Sequence, residues 1–201
     1  MRLSYAALRV VWSPVSQVAA IARVALSPQI LLMVAKVYIP VLFPFTFLIG
    51  LGATGLDALL GFSGGFLPTP LNFYLAGGSF ALGLALWLLT YEQLVHRGEG
   101  SPSPTAGRTL KLVTSGIYAY SRNPSIFGKL IGVLAVGLAL NSLSFCFILV
   151  PALLCLSLIE KVWRQEPQLV EIFGEEYIRY RDQVPLFIPW GLIFPSKKFQ
   201  S

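Results

Sequence analysis

Leu130-Ile131-Gly132-Val133-Leu134-Ala135-Val136-Gly137-Leu138-Ala139-Leu140-Asn141-Ser142-Leu143-Ser144-Phe145-Cys146-Phe147-Ile148-Leu149-Val150-Pro151-Ala152-Leu153-Leu154-Cys155-Leu156-Ser157-Leu158-Ile159 is a run of thirty uncharged residues between Lys129 and Glu160. A helix crosses a hydrocarbon core of about 30 Å with roughly 20 apolar residues, so this run is too long for one crossing. Asn141-Ser142 offers a turn near its middle. The reading is a tight helical hairpin, with spans near Pro124–Leu140 and Leu143–Lys161. A buried hairpin of this kind in lipid must satisfy its own backbone, which makes the fold class all-α.

Working outward, Val37 to Leu56 is a second uncharged stretch of twenty residues, with Pro40 and Pro44 in its first turns, where proline is best tolerated. The run from Ala58 to Tyr91 is broken by Gly61-Phe62-Ser63-Gly64-Gly65 and Pro68-Thr69-Pro70, which leaves Leu71 to Tyr91 as a further span. The expected architecture is an integral membrane protein of about four transmembrane helices. Residues 1–36 form an N-terminal membrane-surface or targeting segment, 37–91 two spans, and 92–201 a polar loop, the hairpin and a charged tail that begins helical. The first 27 residues hold Arg2, Arg9, Arg23, four serines and no acid, a composition shared by transit peptides and interfacial helices.

Composition agrees. Apolar residues make up 55% and charged residues 12% of the chain, at a mean hydropathy of +0.71, against roughly 25% charged in a soluble domain. The net charge of +6 is a topological bias with some attraction to anionic membrane lipids. It is no nucleic-acid footprint, because the cations are not clustered with exposed aromatics. His96 is the only histidine, and Cys146 and Cys155 face nearly opposite sides of one helix as small buried apolar side chains. No metal and no disulfide are expected. All fifteen cations lie in the N-terminal segment, around 92–129, or in the tail, while the turns near 61–70 and 141–143 carry none. The positive-inside rule puts both termini and the central loop in the cytoplasm. The membrane would be the endoplasmic reticulum in a eukaryote, or the inner membrane in a bacterium.

Loop and tail are dense in hydrogen-bonding residues, a pattern that also fits a solvated rim. The wording decides. Leu112-Val113-Thr114-Ser115-Gly116-Ile117-Tyr118-Ala119-Tyr120-Ser121-Arg122-Asn123-Pro124 and, downstream, Gln165-Glu166-Pro167 with Leu169, Phe173-Gly174-Glu175-Glu176-Tyr177, Tyr180 and Val184-Pro185 closely resemble the paired motifs of the isoprenylcysteine carboxyl methyltransferase family. Gly98-Glu99-Gly100-Ser101-Pro102 resembles the Gly-x-Gly of the related phospholipid N-methyltransferases. The resemblance covers roughly residues 92–190 and implies transfer of a methyl group from S-adenosyl-L-methionine to a lipophilic acceptor, in a cofactor pocket formed by the cytoplasmic loop and the C-terminal helix.

By that resemblance the cofactor is held by Leu110, Lys111, Leu112, Val113, Tyr118, Asn123, Pro124, Ser125 and Ile126, with Ser103 and Gln165 in addition. Tyr118 would give an aromatic wall to a sulfonium, although Tyr118 and Tyr120 also suit headgroup anchoring. Lys161 and Gln165, four residues apart, are expected on one helical face, with Lys161 orienting an acceptor carboxylate. Glu160 and Arg164 form a neighbouring i,i+4 pair, with Arg164 a further candidate at the site. Glu166 is the candidate acid or base for an amine acceptor.

Three positions depart from the family. Gln165 replaces a glutamate, Lys161 an arginine, and Ile126 a tyrosine. These changes bear on the acceptor more than on the cofactor. A carboxylate acceptor, prenylated cysteine or small hydrophobic acid, needs no base and suits Lys161. A phospholipid amine needs one and would use Glu166 or Glu160. A non-catalytic binding or transport protein is disfavoured, because Asp57 and Lys129 stand at span ends rather than at mid-membrane.

Overall fold

The computed structural model describes residues 28, 43–62, 64–98 and 111–187. The expectations for residues 1–27 and for the start of the first span lie outside these residues. All regular structure among them is helical. Helix α1 is Phe43–Leu59, α2 Leu71–Arg97 and α3 Pro124–Ala139. The last long helix, α4, runs Phe145–Phe173, and α5 is Glu175–Gln183. A short 3₁₀ turn, Gly116–Ala119, stands between α2 and α3. Among the described residues, α2 and α4 are long and apolar enough to cross a membrane, while α1 and α3 are apolar but shorter.

Helix α2 outlasts its apolar stretch. It continues past Tyr91 through Glu92–Arg97, so the polar loop expected from Glu92 begins at Gly98. The reason is tertiary. Gln93 and Arg97, in this extra length, bind the turn that follows. Helix α3 starts at Pro124, where a residue without an N–H loses no intrahelical bond. It ends at the expected place, with Asn141 in the left-handed region at φ 53°.

Helices α2 and α3 meet backbone to backbone. A Cβ at Gly83 would lie 2.6 Å from Gly132 N and 2.7 Å from Gly128 O. Small residues allow this approach where lipid removes most of the hydrophobic drive between helices. Helix α1 joins the hairpin through Gly50, packed on Leu140 and Phe145. Much of the remaining surface is apolar and exposed, with Leu59 86% and Tyr74 74% accessible. That suits hydrocarbon rather than water. Cys146 is buried as expected, but Cys155 is exposed, on the outward side of α4.

The two cation-free turns are tied to each other. Asn141 Oδ1 accepts from the amides of Phe66 and Leu67 at 3.1 and 3.0 Å, and its Nδ2 donates to Leu67 O at 2.7 Å. Beside them, buried Asp57 of α1 accepts from the Ser142 hydroxyl and, at 2.8 Å, from the Ser144 amide. It thereby supplies an acceptor to the orphan donors that open a helix. Asn141→Ala should cost about 2 kcal/mol, from lost hydrogen bonds and a left-handed backbone, in detergent unfolding. Asn141→Gly should recover only the backbone share, about 1 kcal/mol. Equal stability of Ala and Gly variants would count against the backbone part.

Candidate active site

The opposite end of the bundle holds the charged residues. Its first part is the turn after α2. Buried Gln93 accepts from the Ile117 amide at 3.1 Å, and Arg97 Nη1 donates to Ser115 Oγ at 2.7 Å. Gly116 has φ +68°, and a Cβ there would collide with the Gln93 carboxamide. Glycine is required on both counts. The preceding strand-like stretch is anchored by Lys111 N donating to Gly98 O at 3.1 Å.

The second part is α5 and the residues after it. Tyr177, Tyr180 and Val184 form a buried cluster, against which Leu112, Leu169, Val170 and Phe173 pack. Gly174, at φ 55°, makes the break between α4 and α5 that brings these tyrosines back toward the loop. Tyr180 donates its hydroxyl to the Tyr118 carbonyl at 2.7 Å. Arg122 is held on three sides. Its Nη1 forms an ion pair with Glu166 Oε1, its Nε donates to Val184 O at 2.8 Å, and its amide to Pro185 O at 2.9 Å. Ser121 Oγ donates to the carbonyls of Leu186 and Phe187. The two motif segments, separate in sequence, thus converge through direct bonds.

The third part is a winding defect in α4. Lys161–Gln165 is a π turn, closed by i→i+5 bonds. Residues five apart therefore come together. Lys161 and Glu166 are both buried, at 8% and 7% accessibility, and Gln165 Nε2 donates to Glu160 Oε1 at 3.1 Å on the exposed side. This corrects two expectations built on ordinary helical spacing. Lys161 shares its buried face with Glu166 rather than with Gln165, and Glu160 bonds Gln165 rather than pairing with Arg164. Arg164 itself is exposed, as is its neighbour Trp163.

Of the remaining sequence candidates, Val113 and Ile126 are buried and Leu112 half-buried, while Lys111 is exposed. Asn123 is buried, and its Oδ1 accepts from Ser125 Oγ at 3.2 Å. Pro124 caps the group as the first residue of α3. Ser103 and Leu110 lie outside the described residues. Tyr118 is 8% accessible, so protein rather than lipid headgroups surrounds it, and anchoring does not explain it. Burial raises the Tyr118 hydroxyl above its usual pKa. Burial first, then the Glu166 carboxylate, pushes Tyr177 up to about 12. Both are neutral at physiological pH. Arg122, Tyr177 and Tyr180 join the site although sequence alone gives them no individual role. Their place in the paired motifs was the available signal.

Electrostatically the centre is Lys161. Glu166, Arg122, Glu160 and Lys129 all lie within reach of its ammonium, yet no carboxylate comes within 4 Å of it among the described residues. A buried ammonium without a paired anion is costly unless a ligand supplies one.

Fold and site together define a helical membrane-type protein with a polar two-segment site at one end of its bundle. A family model described as phospholipid methyltransferase matches residues 71–176, just over half the chain, and the chain belongs to that family. The matched stretch spans α2, α3 and α4, with Gln93, Arg122, Lys161 and Glu166, and ends at the start of α5, before Tyr177, Tyr180 and Val184. The chain is also 37% identical over 104 residues to the Protein-S-isoprenylcysteine O-methyltransferase of Schizosaccharomyces pombe, a match covering 50% of this chain and 44% of that protein. The match thus takes in less than half the length of that curated relative. No solved structure matches it significantly.

Proposed function

We propose that this chain is an S-adenosylmethionine-dependent O-methyltransferase that esterifies the carboxylate of a lipophilic, membrane-resident acceptor, foremost a prenylated cysteine. A small hydrophobic acid presents the same group. The observation that carries this reading is the convergence of residues 112–126 with the Lys161–Gln165 turn around a buried, unpaired ammonium. The curated relative's name supports the chemistry.

The residues present suit the methyl donor. Leu112 to Ser115 are neither helical nor paired as sheet among the described residues, which leaves main-chain donors and acceptors for an adenine edge. Tyr118 and Tyr177 are neutral aromatic rings, and Asn123 and Ser125, bonded to each other, offer polar groups at the start of α3. When bound, S-adenosylmethionine supplies an electrophilic methyl group on a sulfonium. The chain's part is orientation and exclusion of water. Lys161 holds the acceptor carboxylate, which is already a competent nucleophile and needs no base. Glu166, locked by Arg122, keeps the loop and α4 in register. Arg164 and Gln165 take no direct part in this scheme.

Four helices crossing the membrane, with loop, tail and both termini on the cytoplasmic side, fit the same reading. The cation-free turns bond to each other at one end, and the charged cluster stands at the other. That geometry lets a bilayer-dissolved acceptor meet a water-soluble donor.

Membranes containing the protein, incubated with methyl-labelled S-adenosylmethionine and then treated with base, should release volatile labelled methanol, the mark of a methyl ester. A label that stays bound after base would mark a methylated amine and overturn the carboxyl reading. The family description names phospholipids, but an ammonium headgroup would be repelled by Lys161.

A further inference from the structure

Leu112 to Ser115 offer their main chain to the methyl donor, yet they form neither helix nor sheet among the described residues. Such a stretch cannot hold its own amides and carbonyls in place for a ligand, so a rigid neighbour must do it. The end of α2, past its apolar stretch, is that neighbour. Gly98 O accepts from the Lys111 amide at 3.1 Å. Arg97 Nη1 donates to Ser115 Oγ at 2.7 Å, and Gln93 Oε1 accepts from the Ile117 amide at 3.1 Å. Gln93 and Arg97 are four residues apart and share a helical face. The stretch therefore runs antiparallel to α2, pinned at 111, 115 and 117.

The innermost pin reaches furthest. Gln93 is buried, whereas Arg97 is exposed. Ile117 lies at the start of a 3₁₀ turn, where amides lack partners within the turn. Ser115 supplies no side-chain cap, so Gln93 caps the turn from another element. The Ile117 carbonyl in turn accepts from the Tyr120 and Ser121 amides at 3.2 and 3.3 Å. Ser121 Oγ then accepts from the Asn123 amide at 3.2 Å. One carboxamide thus anchors a series of bonds that ends at Asn123. The fit is close, because a Cβ at Gly116 would collide with the same carboxamide.

We propose that Gln93 is a positioning residue for the methyl donor: its carboxamide, with Arg97 as an outer support, holds residues 112–118 in the conformation that donor binding requires. The inference rests on the methyltransferase reading for the identity of the ligand. Gln93 acts through Ile117 and not by contact with either substrate.

The test uses the full chain in nanodiscs. Without ligand, Gln93→Leu should speed hydrogen exchange of residues 112–118 about tenfold, the equivalent of one lost hydrogen bond, and leave the α3 amides around Gly132 unchanged. Affinity for S-adenosylhomocysteine should fall about tenfold in the same variant, while KM for a farnesyl thioether acid stays within about twofold. Gln93→Glu keeps an acceptor oxygen and should return exchange and affinity to within about threefold of wild type. Arg97→Ala, at the exposed pin, should weaken S-adenosylhomocysteine binding about threefold. Unchanged donor affinity in Gln93→Leu overturns the proposal. So does a loss shared equally by donor and acceptor with faster exchange throughout α2 and α3, the mark of general destabilisation. If Gln93→Leu does not fold, Arg97→Ala decides by the same readouts, and unchanged donor affinity there overturns the proposal. If exchange and donor affinity shift as expected but base releases no labelled methanol, the positioning role stands and the carboxyl methyltransferase reading falls. Wild type that binds no S-adenosylhomocysteine overturns both.

Discussion

Arg122→Ala should destabilise the protein by about 3–5 kcal/mol, the range for removing one partner of a buried ion pair. The side chains of Arg122 and Glu166 are only 12% and 10% accessible, so truncation would strand the Glu166 carboxylate in a poorly solvated site beside Tyr177. The same substitution removes the donor to Val184 O. The tail would then be held to the loop by the Tyr180–Tyr118 bond, the Arg122 amide on Pro185 O and the Ser121 hydroxyl on the carbonyls of Leu186 and Phe187. Unfolding in detergent by denaturant measures the first effect, and titration with S-adenosylhomocysteine measures the second, where at least a tenfold loss of affinity is expected, about 1.4 kcal/mol. A paired replacement, Arg122→Met with Glu166→Met, should recover much of the stability, because two matched apolar side chains often replace a buried pair without loss. It should not recover ligand binding. A loss below about 1 kcal/mol for Arg122→Ala would mean that the pair behaves as an exposed one, and the site would lose its proposed anchor.

Gly83→Val should cost about 3 kcal/mol, at the upper end for overpacking. The added Cβ would meet Gly132 N at 2.6 Å and Gly128 O at 2.7 Å. Both are backbone atoms in a helix and neither can swing aside. Helix α3 would have to move away from α2 as a unit, carrying Asn123, Pro124 and Lys129 with it. Binding of S-adenosylhomocysteine should therefore fall along with stability, although Gly83 lies within the bundle and not at the site. Gly77, on the same helix, meets nothing within 4 Å. Gly77→Ala should be neutral or stabilise by up to about 1 kcal/mol, as alanine does in a helix interior. The contrast between the two variants, read by thermal or denaturant unfolding in the same detergent, is the measurement. Equal effects would mean that helix propensity, not the seam, governs α2.

The hairpin turn at Asn141 was legible because a thirty-residue uncharged run admits few other foldings, and asparagine tolerates a left-handed backbone. The expected partners of Lys161 were not. Residues four apart share a face in a regular helix, and nothing local in Lys161-Val162-Trp163-Arg164-Gln165 announces a π turn. The defect turns Glu166 inward toward Arg122 and leaves Gln165 to Glu160. The end of α2 was misjudged for a related reason. Composition turns polar at Glu92, but Gln93 and Arg97 gain partners 24 and 18 residues on, and those bonds carry the helix to Arg97.

The amino-acid order by itself determined the helical, lipid-compatible class, the placing of the cations away from two turns, and the two motifs that carry the family likeness. Each is a property of composition or of short-range spacing, which a chain displays before it folds. Tertiary structure alone decided which charges meet. Arg122 and Glu166 are forty-four residues apart, and their pairing depends on the glycine seam, the Gly174 break and the widened turn acting together. Electrostatic partners are chosen by distance in space, and no periodicity along the chain encodes that distance.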